Sequence, residues 1–352
     1  MPDLIVAGAG LAGLVAAAQA REDGAEVVVY EKGDRTGGAM LLSSGVIWRH
    51  RDYADFRREC PRGIPALQLL VHDCLDRDSA WLEGLGARVV ERSTGNPLTT
   101  GTRFCTRSLT DVLTERAGNV RLGEPLRGLT RAPVVLATGG FQADRRLVRQ
   151  HITPHADALC LRTTPWSTGD GLRLGLAAGA ATTDGLEEFY GRTMPAPPAR
   201  VRDTEFVELA QLYARFATVR NANGDEYRTR TWSEIDVVQW TARQPAARAY
   251  YEVSEEQLGA IVGARSVGDM IDAAGRAGAR VTRRAGTVTV EVVAGITTTL
   301  GGLKVDTSAQ AAPGVFAAGS DVGGIATGGY SSGLAAALVL GRVAARSALR
   351  GR

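Results

Sequence analysis

The stretch LIVAGAGLAG at residues 4–13 constrains the fold of this chain more than any other feature. The apolar run Leu4–Ala7 is typical of a parallel strand that is buried on both faces. Gly8 permits a tight turn, Gly10 lets a pyrophosphate approach the backbone, and Gly13 lets the next helix pack closely on the strand. The spacing therefore predicts a strand, a turn and a helix whose N-terminus binds a phosphate.

The residues after these glycines indicate a dinucleotide. A helix rich in alanine is expected over Leu11–Glu22, with Gly24 at its C-terminal end. A second apolar strand at 27–30 ends in Glu31, about 20 residues past the glycines, where an acid accepts the ribose hydroxyls of a dinucleotide. An ordinary strand-turn-helix unit is the alternative, but it does not need an acid at this distance.

Composition indicates a soluble globular enzyme. The chain has 352 residues, of which 44% are hydrophobic, so it can bury a large core. Its net charge of +3 is too small to indicate nucleic-acid binding, and its basic residues are scattered arginines, with Lys32 and Lys304 the only lysines. No stretch is long and apolar enough to span a bilayer, and the apolar N-terminus is the first strand rather than an export signal. We therefore expect a cytoplasmic protein with no nucleic-acid partner.

No metal site is expected. His151 and His155 flank Pro154, which makes a metal pair on one helix improbable. The four cysteines form neither a metal pair nor a redox CxxC motif, so free thiols are expected. They are Cys60, Cys74, Cys105 and Cys160.

Several later stretches extend the nucleotide motif. Gly37 and Gly38 form a second glycine turn, and Ser43, Ser44 and Gly45 form a third. With these turns, the chain resembles the fumarate reductase and succinate dehydrogenase flavoprotein superfamily, which includes 3-ketosteroid dehydrogenases and tricarballylate dehydrogenase. The other stretches that carry the resemblance are VVLATGGF at 134–141, STGDGLRLGLAAGA at 167–180, ITTTLGGLKVD at 296–306, GVFAAGSDVGG at 314–324 and GGYSSGLAAALVLGRVAARSA at 328–348.

The resemblance implies FAD as the cofactor. We expect it to be held non-covalently, because residues 33–44, where family members attach flavin, contain no histidine. Ser320 stands where many relatives have a glutamate near the ribityl chain, and Asp321 is expected to take over that hydrogen bonding. The residues expected at FAD are Gly8, Ala9, Gly10, Leu11, Ala12, Gly13, Glu31, Lys32, Gly37, Gly38, Ala39, Met40, Ser43, Ser44, Gly45, Ala137, Thr138, Gly139, Asp170, Gly319, Ser320, Asp321, Ser331, Ser332 and Leu334.

The resemblance also implies a two-domain fold of the α/β class. A Rossmann-like FAD-binding domain with a parallel sheet, of the glutathione-reductase type, is expected over residues 1–187 and 285–352. An inserted α+β capping domain is expected over residues 188–284, beginning with the proline-rich entry FYGRTMPAPPARVRD. In the family, this cap closes over the flavin and carries half of the substrate site.

The chain departs from fumarate reductases at residues that clamp a dicarboxylate. Thr298 replaces a histidine before the double glycine, Tyr330 replaces an arginine, and Gly191 or Arg192 stands at the position of the cap histidine. Fumarate and succinate are therefore unexpected substrates, because such a clamp needs bidentate cations. A tyrosine in this glycine-rich segment is closer to 3-ketosteroid dehydrogenases, whose tyrosines polarise a ketone and remove an adjacent proton.

The candidate catalytic residues are Tyr330 and, in the cap, Tyr190, Arg192 and Tyr213. For each, packing or surface exposure is the alternative. The first hypothesis is an FAD-dependent dehydrogenase or reductase that transfers hydride between flavin N5 and a substrate C–C bond next to a carbonyl or carboxylate. Its partners are that small-molecule substrate and an external electron acceptor or donor. An oxidase that uses oxygen, and a flavin-binding redox sensor without turnover, are the alternatives.

Overall fold

The computed structural model describes residues 1–350. The strands are β1 (Leu4–Ala7), β2 (Val27–Glu31), β3 (Val46–His50), β4 (Val89–Glu91), β5 (Thr99–Phe104), β6 (Val120–Leu122), β7 (Val134–Leu136), β8 (Cys160–Leu161), β9 (Phe189–Pro195), β10 (Thr218–Arg220), β11 (Glu226–Tyr227), β12 (Arg248–Ser254), β13 (Ile261–Val262), β14 (Arg265–Ser266), β15 (Val281–Arg284), β16 (Thr287–Thr299), β17 (Gln310–Ala312) and β18 (Val315–Ala317). The α-helices are α1 (Leu11–Glu22), α2 (Gly38–Leu41), α3 (Tyr53–Glu59), α4 (Pro65–Gly84), α5 (Thr106–Ala117), α6 (Arg145–His151), α7 (Asp170–Ala177), α8 (Ile235–Ala242), α9 (Val267–Arg276) and α10 (Gly333–Leu349).

The chain forms two compact units. Unit one comprises residues 1–144, 164–188 and the segment from Thr298 onward, and unit two comprises residues 145–163 and 189–297. These bounds differ from the expected domains in two places. Residues 145–163 belong to unit two, where β8 pairs with β16, and the chain returns to unit one at Thr298 rather than at residue 285, because β16 is one continuous strand.

Unit one is built on a six-stranded sheet in the order β17-β18-β7-β1-β2-β6. Five of these strands run parallel, and only β17 is antiparallel to its neighbour. All four residues of β1 are buried, as expected for a strand covered on both faces. The predicted parallel sheet of a Rossmann-like fold is confirmed.

Helices of unit one pack closely beside this sheet. A Cβ atom on Gly341 of α10 would lie 2.6 Å from the Ala12 carbonyl oxygen of α1, so these two helices touch at a glycine. Arg342 of α10 forms a buried ion pair with Asp78 of α4 and donates a hydrogen bond to Gln19 of α1 at 2.7 Å. Three helices distant in sequence are thereby joined. A small antiparallel sheet, β3-β5-β4, completes this unit.

Unit two contains a second sheet with its own core. Strands β11, β10, β12, β16 and β15 lie in that order and pair antiparallel, while β8 and β9 also pair with β16. Tyr213, Tyr251 and Val290 are among its fully buried side chains. Among the 350 described residues, we find no helix with the length and apolar character needed to cross a membrane.

Candidate functional site

The turn after β1 has the backbone shape that its glycines predict. Gly8 has a φ of +102°, and a Cβ there would lie 2.2 Å from the Ala137 carbonyl oxygen. A Cβ on Gly13 would lie 1.9 Å from the Gly8 carbonyl oxygen. Any side chain at these two positions would push α1 or the end of β7 away. The turn therefore brings the N-terminus of α1 to the carboxyl edge of the sheet, which is where phosphates bind.

Glu31 closes this turn with its carboxylate. Oε2 accepts a hydrogen bond from the Ala9 amide and Oε1 accepts one from the Gly33 amide, each at 2.6 Å. The residue is 8% exposed. Since an ionised carboxylate has about four lone-pair sites, two remain for the hydroxyls of a ribose.

The second glycine turn is joined to the first. The Gly37 amide donates to the Ala9 carbonyl at 2.8 Å, and Gly10 and Gly37 form a parallel bridge. Gly38 has a φ of +52°, and a Cβ there would lie 3.0 Å from the Gly10 Cα. The two predicted glycine turns thus form one backbone surface.

Lys32 extends from the end of β2 toward the N-terminus of α7. Its Nζ donates to Thr168 Oγ1 at 2.6 Å and pairs with Asp170 Oδ2 at 3.0 Å. The Lys32 side chain keeps about a third of its surface exposed. It places an ammonium group, paired with Asp170, beside the glycine turns.

Asp321 lies behind the site rather than in it. Its carboxylate accepts hydrogen bonds from the Thr138 amide, from Thr138 Oγ1 at 3.1 Å and from the Gly140 amide at 3.1 Å. The residue is 1% exposed, and burial raises the pKa of its carboxyl group. Asp321 therefore holds the turn after β7. Its neighbour Ser320 faces the cleft and accepts a hydrogen bond from Thr298 Oγ1 at 2.7 Å.

One cleft in unit one lies at the carboxyl ends of β1, β2 and β7. Eleven of the predicted cofactor residues line it: Gly8, Gly10, Glu31, Lys32, Gly38, Ala39, Ala137, Thr138, Gly139, Asp170 and Ser320. The other predicted residues are outside its lining: Ala9, Leu11, Ala12, Gly13, Gly37, Met40, Ser43, Ser44, Gly45, Gly319, Asp321, Ser331, Ser332 and Leu334. Seven lining residues were not predicted: Ala7, Tyr30, Pro125, Leu126, Thr164, Trp166 and Ser167.

The missed lining residues differ in whether the sequence could have indicated them. Pro125 and Leu126 follow β6, which pairs in parallel with β2, so the same edge of the sheet brings them to the cleft. Trp166 directly precedes the STGDG motif and packs against Gly33, where a Cβ would lie 2.5 Å from its ring. The parallel order of β6 would have indicated the first pair, but no local pattern marks the tryptophan.

Two further segments predicted at the cofactor, the turn at residues 43–45 and the start of α10, make hydrogen bonds within the protein. Ser43 donates to the Met40 carbonyl at 2.8 Å and accepts from the Gly45 amide at 3.1 Å. Ser332 is the N-cap of α10, and its side chain accepts a hydrogen bond from the Ala335 amide at 3.2 Å.

Tyr330 lies on the turn immediately before that helix. Its half-buried ring lies 5.2 Å from the Trp48 ring, centroid to centroid. Gly328 has a φ of +89°, and a Cβ on Gly329 would lie 1.7 Å from the Glu59 carbonyl oxygen. The two glycines therefore fit the Tyr330 turn against the end of α3.

The cap candidates lie in unit two and differ in accessibility. Arg192 stacks over the Tyr190 ring at 5.2 Å and donates to the Ser233 carbonyl, and both residues are half-buried. Tyr213 is fully buried, donates to Gln211 Oε1 at 2.9 Å, and has a phenol pKa raised by burial. Its hydroxyl is enclosed in the core of unit two, so Tyr213 is not positioned to contact a substrate.

The geometry of unit one fits FAD. The glycine turns bring the N-terminus of α1 to the cleft, where it can bind a pyrophosphate, and Glu31 keeps acceptor capacity for a ribose. These features define a dinucleotide-binding fold. A profile of the family described as FAD binding domain matches residues 3–58 and 71–334. The chain belongs to this family and is an FAD-dependent oxidoreductase.

Solved structures with the same fold include enzymes of two kinds. A 3-ketosteroid Δ1-dehydrogenase from Sterolibacterium denitrificans in complex with 1,4-androstadiene-3,17-dione has a TM-score of 0.75 at 14% identity, covering 100% of both chains. A 3-ketosteroid-Δ4-(5α)-dehydrogenase from Rhodococcus jostii RHA1 in complex with 4-androstene-3,17-dione has a TM-score of 0.72 at 18% identity, covering 99% of this chain and 96% of its own.

A flavocytochrome c3 fumarate reductase in its open conformation is also similar. Its TM-score is 0.71 at 20% identity, covering 99% of this chain and 78% of the reductase. A comparison with curated protein sequences gives no match. At these identities, the structural likeness establishes the fold.

Proposed function

We propose that this flavoprotein is a dehydrogenase or reductase that acts on a substrate C–C bond next to a carbonyl or carboxylate. The position of Tyr330 carries the proposal: it is a half-buried phenol on a glycine turn of the FAD-binding unit, just before the N-terminus of α10. Two structures with this fold are named as ketosteroid dehydrogenases and hold steroid diones, which supports a ketone-activating role for a tyrosine here.

The residues of unit one divide into cofactor-holding and substrate-activating groups. Glu31 would hold the adenosine ribose, and the turns at Gly8 and Gly38 with Lys32 would hold the pyrophosphate. Bound FAD supplies the two-electron acceptor or donor for hydride transfer. The Tyr330 hydroxyl would donate a hydrogen bond to the activating oxygen or move the proton on the neighbouring carbon. An external electron acceptor or donor completes the cycle.

Anaerobic mixing of the holoprotein with a panel of ketones, enones and small carboxylates tests the proposed reaction class. We expect a saturated ketone to bleach the flavin absorbance, or an enone to reoxidise the pre-reduced protein. A protein that responds to no member of the panel would be a binder without this activity. Admitting air after bleaching then separates an oxidase, which recovers its colour rapidly, from a dehydrogenase that needs another acceptor.

Tyr330→Phe tests the proposed catalytic group, because it keeps the ring against Trp48 and removes only the hydroxyl. We expect flavin content and spectrum to persist while the bleaching rate falls by about 10² to 10⁴. Tyr53→Phe is the matched control, since the Tyr53 hydroxyl only donates to the Pro65 carbonyl at 2.8 Å in the same unit. Equal rates for both variants would remove Tyr330 from the chemistry and leave Tyr190 and Arg192 as candidates.

A further inference from the structure

Glu188 is a buried acid that the cofactor cleft does not use. It is the last residue of unit one before the chain enters unit two, and it is 4% exposed. Its Oε2 accepts a hydrogen bond from the Gly328 amide at 2.7 Å, and its Oε1 forms an ion pair with the Arg62 guanidinium. A carboxylate this buried is unfavourable unless it is paired, so the two contacts explain how the charge is tolerated.

Both partners of Glu188 belong to the environment of the Tyr330 turn. Gly328 starts that turn in the left-handed region, at a φ of +89°. Arg62 lies three residues after Glu59. The Glu59 carbonyl oxygen is so close to Gly329 that a Cβ on this glycine would lie 1.7 Å from it. The turn is thus held on one side by the backbone after α3 and on the other by the Glu188 carboxylate.

Three further hydrogen bonds connect the backbone segments around this turn. Gln68, which is fully buried, donates from Nε2 to the carbonyls of Cys60 and Ile325 at 3.0 and 2.8 Å. The Ile64 amide donates to the Gly324 carbonyl at 2.6 Å. The segment after α3 and the segment before Tyr330 are therefore fixed to each other, and the Gly328 amide adds a charge-assisted bond at the point where the turn begins.

The charge on Arg62 is already shared between two acids. Its Nη1 lies 3.6 Å from Glu187 Oε1, in addition to the ion pair with Glu188, and its side chain is about half exposed. A guanidinium engaged in this way is suited to holding Glu188 in place rather than to binding an anionic ligand.

We propose that Glu188 and Arg62 are positioning residues, which hold the Gly328–Tyr330 turn in the conformation that presents the Tyr330 hydroxyl for catalysis. The catalytic part of this inference rests on the proposed function. The positioning part is measurable without a substrate, because it concerns only the conformation around Tyr330.

The experiment is ¹⁹F NMR of the FAD-loaded protein labelled with 3-fluorotyrosine. The chain has eight tyrosines, and the Tyr330 resonance is identified by its loss in Tyr330→Phe. Glu188→Gln keeps an acceptor for the Gly328 amide but loses the ion pair, whereas Glu188→Ala loses both. We expect the Tyr330 resonance to move more in Glu188→Ala than in Glu188→Gln, while resonances of the unit-two tyrosines stay in place. Glu187→Gln, which changes an exposed neighbour paired with the same arginine, should leave Tyr330 unmoved.

The outcomes separate this inference from the proposed function. A Tyr330 resonance unchanged in Glu188→Gln and in Arg62→Met would overturn the positioning role, and these two variants decide the question if Glu188→Ala does not fold. With a substrate from the panel, we expect Glu188→Gln to lower kcat by about tenfold with KM and flavin content unchanged. If no substrate bleaches the wild-type flavin, the proposed function fails while the NMR result still stands.

Discussion

At the residue scale, the cofactor site depends on side chains that hold backbone. Glu31 was identified from its distance to the glycines, but the structure adds that its two oxygens tie the Ala9 amide to the Gly33 amide. The buried Asp321 likewise accepts hydrogen bonds from the Thr138 and Gly140 amides, and so it holds the turn after β7. A sequence pattern indicates which acids lie near the glycine turns, but it does not say whether a carboxylate faces the cleft or the protein behind it.

Glu31→Ala should weaken FAD binding by about 1.5 to 3 kcal/mol, or roughly ten- to hundredfold in Kd, because a charge-assisted acceptor is lost. Fluorescence titration of the apoprotein with FAD measures this change. Glu26→Ala, at an exposed acid near the start of β2, is the control and should bind as the wild type does. An unaltered Kd in Glu31→Ala would mean that the ribose lies elsewhere.

At the element scale, local signals were enough for the first β-α-β unit. The predicted bounds of β1 and α1 agree with the structure, and β2 extends one residue further, to Glu31. The pairing of β8 with β16 was not predictable in the same way, because it joins Leu161 to Ile296 across more than a hundred residues and leaves no periodic pattern in either short segment. The lining residues Pro125 and Leu126 were missed for a related reason: their place follows from the order of strands.

Two helix glycines should respond in opposite directions to the same substitution. Gly13→Ala would place a Cβ 1.9 Å from the Gly8 carbonyl oxygen, so we expect a loss of about 2 to 3 kcal/mol in unfolding free energy. Gly84→Ala, at an exposed position of α4 with no atom within 4 Å of the new Cβ, should gain about 0.5 to 1 kcal/mol. Urea unfolding of both apoproteins checks the signs. A stable Gly13→Ala protein would contradict the close approach of α1 to the first turn.

At the scale of the whole molecule, the chain leaves unit one twice and returns twice. The proline-rich stretch at 189–203 begins directly after Glu188, which is the last residue of unit one before the second departure. No proline-rich stretch precedes the first departure from unit one, at residue 145, where α6 begins shortly after the VVLATGGF segment. Boundaries of discontinuous units depend on which distant strands pair, so sequence reveals them only where the linking segment is itself unusual.

Acid precipitation of the purified holoprotein should release all of its FAD into the supernatant. The expectation rests on residues 33–44, which contain no histidine for covalent attachment. The absorbance spectrum of the supernatant and its chromatographic identity with FAD provide the measurement. Yellow colour retained in the washed pellet would show a covalent link through another residue.

The interrupted course of unit one also affects how the protein is made on the ribosome. Strand β7 lies between β1 and β18, yet about 180 residues separate Leu136 from Val315, and the whole of unit two is translated in that interval. At 5–20 residues per second, the delay is roughly 10 to 35 s. During this time, one edge of an apolar central strand lacks its partner and is open to pairing with other nascent chains. Efficient production therefore requires that this edge be shielded until the third segment emerges, and slower translation lengthens the period of risk.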